Sequence, residues 1–294
     1  MSDTTKPAEA SGPLLIRADA GEAIGTGHVM RMIALAQAWK EMGGSTVFVV
    51  AMELGALEDR LNAEGFAVHC LKAEPGSLDD AGQTLEHARA CGSKWIVFDG
   101  YHFGTPYQQA LRPGGQSLLC VDDAGYAGVF EADLILNQNL SANAELYQNR
   151  PEAARLLLGS EYALLRREFS EWRDWTRCNP DPARNVLLTL GGSDPDNVSL
   201  MILKSLKRMT LSDCKVRILI GASNPHGESL QREAADLGDC CEIIVNSNRM
   251  PEPSLQRSWM DIIKVYMVIR LRLCKTTVVV QLYIQLRSLS PQWC

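Results

Sequence analysis

Along this chain, short apolar runs alternate with stretches of helical period. Leu14–Ile16 is apolar, a glycine-containing loop over residues 21–27 follows, and a helix-period stretch then runs from His28 to Met42 and stops at Gly43-Gly44. Thr46–Val50, Val68–Leu71, Trp95–Phe98, Leu118–Val121 and Leu134–Leu136 read as further buried strands, with helical patterns between several of them. Strands alternating with helices in this way predict a parallel, doubly wound sheet, an α/β fold.

The pattern starts afresh in the second half. YALLRREFSEWRDW (162–175) predicts a helix, and the polar, proline-containing stretch 178–182 then breaks the chain, which places a domain boundary there. A second strand, loop and helix follow at once: Asn185–Leu190, residues 191–195, and Asn197–Arg208. Val216–Ile220 and Cys241–Val245 add two more strands with a helix between them. The expected organisation is a first domain over 13–178, a second over 179–252, and a tail over 253–294 that departs from both.

Composition narrows the class. Hydrophobic residues make up 46% and charged residues 22%, the balance of a globular protein. Residues 1–12 lack the apolar centre of a secretory signal, and no apolar run approaches the roughly 20 residues that span a bilayer, so a cytoplasmic protein without a membrane partner is expected. The nine cysteines form no Cys-x-x-Cys pair, which argues against a zinc or redox motif and for reduced, mostly buried thiols. The net charge of −6 divides into −11 over residues 1–252 and +5 over 253–294. An acidic body is no surface for nucleic acid, whose phosphates need concentrated positive charge.

Four loops are candidates for chemistry. Gly25-Thr26-Gly27-His28 joins a strand to a helix, where free amides and the helix N-terminus favour a phosphate or an anionic transition state. Its spacing is neither a P-loop nor a dinucleotide fingerprint, and locally a tight turn with an incidental histidine stays open. His28 at a helix start is suited to act as a general base, with His102 its nearest rival; His69, His87 and His226 read as structural or exposed. The second loop, Gly191-Gly192-Ser193-Asp194, repeats the device and suits a diphosphate, against the simpler reading of a βα turn capped by Ser or Asp. The third, Asp99-Gly100-Tyr101-His102, follows a strand at the carboxyl end, where open α/β sheets bind ligands. The fourth is Asp122-Asp123, read as capping and solvation rather than as a magnesium site.

Six blocks taken together resemble a known family: IRADAGEAIGTGHVMRMIALAQAW (16–39), VFDGYHF (97–103), VDDAG (121–125), DLILNQN (133–139), LLGSEYALLRREF (157–169) and VLLTLGGSDPDN (186–197). In this order they look like the UDP-2,4-diacetamido-2,4,6-trideoxy-β-L-altropyranose hydrolases of pseudaminic acid biosynthesis, over roughly residues 14–252. The resemblance implies a MurG-like (GT-B) architecture of two Rossmann-like domains with a UDP-sugar in the cleft. Water would displace UDP from the anomeric carbon with no metal and no organic cofactor, and the protein is expected to act as a monomer. By matching positions, His28 would activate the water with Tyr101 beside it. Arg17, Asp19, Gly25, Thr26 and Gly27 would line the sugar side, and Gly191, Gly192, Ser193 and Asn197 would hold the diphosphate.

The last segment departs from that family. After Pro251-Glu252 the expected helix, strand, third glycine-rich loop and nucleotide-reading acid do not follow, and no glycine occurs beyond Gly238. A change of reading frame or of gene end near residue 253 is the expected explanation, leaving the second domain incomplete, with a divergent but functional ending as the alternative. The stretch 265–286, rich in β-branched residues, is expected to make the protein poorly soluble. Two rivals stay beside the hydrolase: a glycosyltransferase of the same fold with a UDP-sugar donor, and an inactive sugar-nucleotide-binding remnant.

Overall fold

A computed structural model describes residues 12–21, 24–172, 185–190, 194–208, 215–221 and 224–245. Gly191, Gly192, Ser193, the proposed boundary near residue 178 and the tail over 253–294 lie outside the described residues.

The first unit is a seven-stranded sheet. Strands β1 (Pro13–Ala18), β2 (Ser45–Val50), β3 (Ala67–Cys70), β4 (Trp95–Asp99), β5 (Ser117–Val121), β6 (Leu134–Asn137) and β7 (Arg155–Leu158) stand in the order β3-β2-β1-β4-β5-β6-β7. Every pairing is parallel. Helices α1 (Gly27–Glu41), α2 (Ala56–Ala63), α3 (Leu78–Cys91) and α4 (Thr105–Leu111) connect the first five strands. The order reverses between β1 and β4, so the carboxyl ends of these two strands form the switch point at which such sheets leave a crevice.

Alternation along the strands sends successive side chains to opposite faces. Leu14, Ile16 and Ala18 of β1 join a core with Val29, Met32 and Ile33 of α1. Leu15 instead packs with Ala81, Leu85 and Ala88 of α3 and with Tyr107 and Leu111 of α4. Each large apolar side chain taken fully out of water contributes about 1.5–3 kcal/mol, so the sheet holds α1 more firmly than its propensity does. Helix α3 has clear local stops: the Ser77 hydroxyl accepts the Asp80 N–H, and Gly92 ends the helix at φ 70°.

The second unit has strands β8 (Asn185–Thr189), β9 (Lys215–Ile220) and β10 (Cys241–Val245), parallel and ordered β10-β9-β8. Among the described residues, helices α5 (Val198–Lys207) and α6 (Gly227–Ala235) accompany it, and Leu188, Leu203, Ile218 and Leu230 form a core of its own. Asp194 accepts the Val198 and Ser199 N–H groups and so caps α5.

Three expectations need correction. The helix expected over 162–175 is replaced, within the described residues, by two 3-10 turns at Ser160–Tyr162 and Arg167–Trp172. The Gln138 side chain accepts the Leu164 N–H and the Gln37 side chain accepts the Arg167 N–H, which docks the segment onto the first unit in place of an internal helical ladder. Strand β7 was not anticipated. The described free cysteines are not mostly buried either: Cys120 is buried, whereas Cys70 and Cys240 are exposed. Among the described residues no helix is long and apolar enough to cross a membrane.

Candidate active site

The loop before α1 closes on itself, with Gly25 N–H donating to Gly21 O at 2.7 Å and Gly21 N–H to Gly25 O at 3.2 Å. Gly25 sits at φ 72°, the left-handed region that favours glycine, and lets the chain turn back into the helix. Thr26, the N-terminal flanking residue, makes no side-chain cap and the first turn carries no acid, so the opening amides of α1 are not spoken for by a local side chain. They lie at the carboxyl end of β1.

His28 is the second residue of α1 and is 5% exposed. Its Nδ1 stands 2.6 Å from Oδ1 of Asp99, the last residue of β4. A carboxylate can only accept here, so Nδ1 donates, and the neutral ring keeps its lone pair on Nε2. Nε2 has no partner among the described residues. The ring meets Tyr101 edge to face at 4.7 Å, and Tyr101 meets Tyr126 in the same manner at 4.7 Å. Tyr101 and Tyr126 are exposed, so an aromatic row leads from the buried imidazole to the surface. Asp122 holds the loop that carries Tyr126, accepting the N–H groups of Ala124 and Gly125 at 2.9 and 2.5 Å. It also accepts the Tyr126 N–H at 3.3 Å and the Tyr147 hydroxyl at 2.8 Å.

Arg31 lies one turn beyond His28 and closes on Asp99 with Nε and Nη2, while Nη1 donates to Asp123. Burial alone would lower the pKa of this guanidinium; its hydrogen bonds to Asp99, then the charges of Asp99 and Asp123, raise it above the ordinary value. The capping reading therefore holds for Asp122, whereas Asp123 is an ion-pair partner. Sequence reading missed Arg31 altogether and gave Asp99 only a place at a strand end. Arg31's spacing from His28, i to i+3 on one helix face, was the available signal.

Arg17 and Asp19 do not join this group. Arg17 follows the alternation to the opposite face of the sheet, where it is fully buried and donates through Nε and Nη2 to both oxygens of Asp80 at 2.9 and 2.7 Å. Asp19, also fully buried, accepts the Ala51 N–H at 2.7 Å and has Arg17 Nη2 at 2.8 Å and His102 Nε2 at 3.1 Å. The expectation that Arg17 lines the sugar side is thus corrected: its ion pairs occupy it inside the fold. His102, the rival base, is drawn to Asp19 and away from His28. The same cluster anchors the turn that bears Tyr101, because Gly76 passes so close that an added Cβ would lie 2.3 Å from the His102 carbonyl oxygen. In the second unit Asn197 flanks α5 at φ 51°, with its side-chain oxygen buried and without a hydrogen-bond partner.

Burial opposes ionisation of Asp19, but His102 and Arg17 favour it, and the balance holds the carboxyl well below the usual range. A carboxyl depressed in the folded state stabilises the fold fully above its unfolded value of about 4, and that contribution is lost as pH falls below it. Urea unfolding followed by circular dichroism should therefore show midpoints that fall as the pH drops from about 4 to 2, with a shallower fall in Asp19→Asn. Equal slopes in the two proteins would remove Asp19 from the account.

Parallel Rossmann-like units of this kind define the two-domain α/β class known as GT-B, and solved structures agree on the fold. MnaA of S. aureus, solved with UDP, superposes with a TM-score of 0.52 at 12% identity, covering 86% of this chain and 72% of that one. HepE of Anabaena, in complex with UDP-glucose, gives 0.51 at 13% identity, covering 80% and 69%. More particularly, the chain is similar to the UDP-2,4-diacetamido-2,4,6-trideoxy-β-L-altropyranose hydrolase of Campylobacter jejuni, 25% identical over 223 residues that cover 75% of this chain and 74% of that protein. The resemblance drawn from the six sequence blocks is borne out by that relative. No family model matches.

Proposed function

We propose that this protein is a cytoplasmic hydrolase that cleaves a UDP-linked 2,4-diacetamido-2,4,6-trideoxy sugar to UDP and free sugar, a step of pseudaminic acid biosynthesis. The observation that carries the reading is the pairing of His28 Nδ1 with Asp99, which leaves Nε2 as a proton acceptor beside the open end of α1. Nε2 takes a proton from water, the water oxygen bonds to the anomeric carbon, and the bond from that carbon to the diphosphate oxygen breaks with its electron pair leaving on UDP. Diphosphate is a good leaving group, so positioning, a base and fixed dipoles are the parts the protein must supply. Tyr101 and Tyr126 offer flat faces to the methyl and acetamido groups of such a sugar. The first-unit loop Gly25–Gly27 lies at the sugar end. In this reading Gly191, Gly192, Ser193 and Asn197 take the diphosphate, as the resemblance implies; the left-handed backbone and unpartnered side-chain oxygen of Asn197 give that role a local basis.

The relative's activity supports hydrolysis, and the fold alone equally suits transfer of the sugar to another acceptor. Incubating the purified chain with the UDP-linked diacetamido sugar and with UDP-N-acetylglucosamine, and measuring UDP and free sugar, separates the cases. Hydrolysis predicts equal amounts of UDP and free sugar with no acceptor added, and preference for the diacetamido sugar. UDP release only when an acceptor is supplied would make the protein a transferase, and none under either condition a binder.

A further inference from the structure

The hydrolase reading uses the imidazole of His28 and leaves open what makes one of its two nitrogens the base. Asp99 is fully buried, and all its contacts converge on that question. Arg31 Nε donates to Oδ2 at 2.5 Å and Nη2 to Oδ1 at 2.6 Å, a two-pronged grip that stops the carboxylate from turning. The lone pair remaining on Oδ1 faces His28 Nδ1 at 2.6 Å. Arg31 Nη2 is itself 3.3 Å from Nδ1, but a guanidinium has no acceptor, so the Nδ1 proton can go only to Asp99. The arginine is fixed in turn: its third arm reaches Asp123 at 2.9 Å, and Asp123 accepts from Asn139 Nδ2 at 2.8 Å. The bonds thus run from α1 across the ends of β4 and β5 to the residues that follow β6.

We propose that Asp99 and Arg31 are positioning residues for His28, Asp99 assigning the proton to Nδ1 so that Nε2 is the accepting atom, and Arg31 holding Asp99 in the one orientation that does so. The arginine also supplies the positive charge that a buried carboxylate requires, so the imidazole is not needed as its counter-ion. A carboxylate that orients a catalytic imidazole in this way is a recurring solution on unrelated folds; here a guanidinium fork locks the carboxylate from behind. The inference depends on the hydrolase reading only for what Nε2 acts upon.

The test is nitrogen NMR of the histidine rings in the full chain at about pH 8, where an ordinary imidazole is neutral, with His28 assigned by comparison with His28→Gln. The wild type should show the proton on Nδ1 and a bare Nε2, and Asp99→Ala should lose that pattern. With the UDP-sugar, Asp99→Ala should lower kcat by about 10²–10⁴ with KM within about threefold, the behaviour of a group that acts only in the transition state. Arg31→Gln should cost at least about tenfold in kcat, and Arg31→Lys should restore only part, since an ammonium keeps the charge without the fork. A proton on Nε2 in the wild type, or an Asp99→Ala ring pattern identical to it, overturns the proposal, and the wild-type spectrum decides even if the variants do not fold. It needs no substrate, so a wild type that releases no UDP refutes the hydrolase reading while the nitrogen pattern still judges the dyad.

Discussion

His28→Gln lowers kcat for UDP release by about two to four orders of magnitude, the usual contribution of a positioned general base, while KM stays within about threefold. The expectation follows from where the side chain sits. The imidazole fills a nearly closed slot between Asp99 and Tyr101, and glutamine has enough length to occupy much of it while lacking a group that accepts a proton near neutral pH. Asp99 keeps both contacts to Arg31 in the variant, so no buried charge is left without a partner and the fold survives. Thermal unfolding should accordingly shift by no more than a few degrees, about what 1 kcal/mol produces in a unit of this size. The measurement is steady-state UDP release across substrate concentrations, beside a melting curve for each protein. An unchanged kcat removes histidine from the chemistry; a collapsed melting curve makes the residue structural.

Arg17→Leu has the opposite signature: stability goes first and activity follows. Removing the guanidinium leaves Asp19 and Asp80 facing one another with no cation, in an interior where neither is exposed. Removing one partner from a buried ion pair costs about 3–5 kcal/mol, which corresponds to a loss of roughly 6–20 °C in the melting temperature of this unit. Arg17→Lys should recover only part, because Nε and Nη2 meet two oxygens of one carboxylate and an ammonium cannot reproduce that geometry. Differential scanning calorimetry reads the effect directly, and a shift under about 2 °C for Arg17→Leu would mean that the cluster contributes little. The activity loss is indirect: Asp19 anchors His102, and His102 follows Tyr101 in the same tight turn.

The contrast between these two residues shows what was legible in the sequence. Strands of a two-sided parallel sheet are nearly continuous apolar runs, and six of the seven in the first unit could be read off directly. Arg155–Leu158 escaped because it is an edge strand of four residues that runs straight into Gly159 and has no α-helix before it, only a 3-10 turn at Ala144–Tyr147. The segment after Tyr162 has helical spacing, yet its amides are claimed by Gln37 and Gln138, residues remote in sequence, and no local pattern reports that. His28 was legible because a histidine between glycines and a helix is unusual. Arg31 was not: a basic residue on a helix normally marks the solvent face, and only the arrival of Asp99 and Asp123 from neighbouring strands turns it inward. Arg17 was placed on the wrong face because a motif match carries no parity, and parity along β1 decides which core a side chain enters.

Parity also constrains the spacing of β4. Phe98 enters the core beneath α3 and α4, and Asp99, the next residue, meets the imidazole on the far side. Deleting Ile96 or Val97 would flip both residues, turning the phenyl ring to the side of α1 and sinking the carboxylate beside Phe103 and Tyr107. Conservative swaps within this strand are therefore cheap, whereas a single codon gained or lost there dismantles base and core in one stroke. The spacing of the strand, more than its composition, is what its lineage must keep.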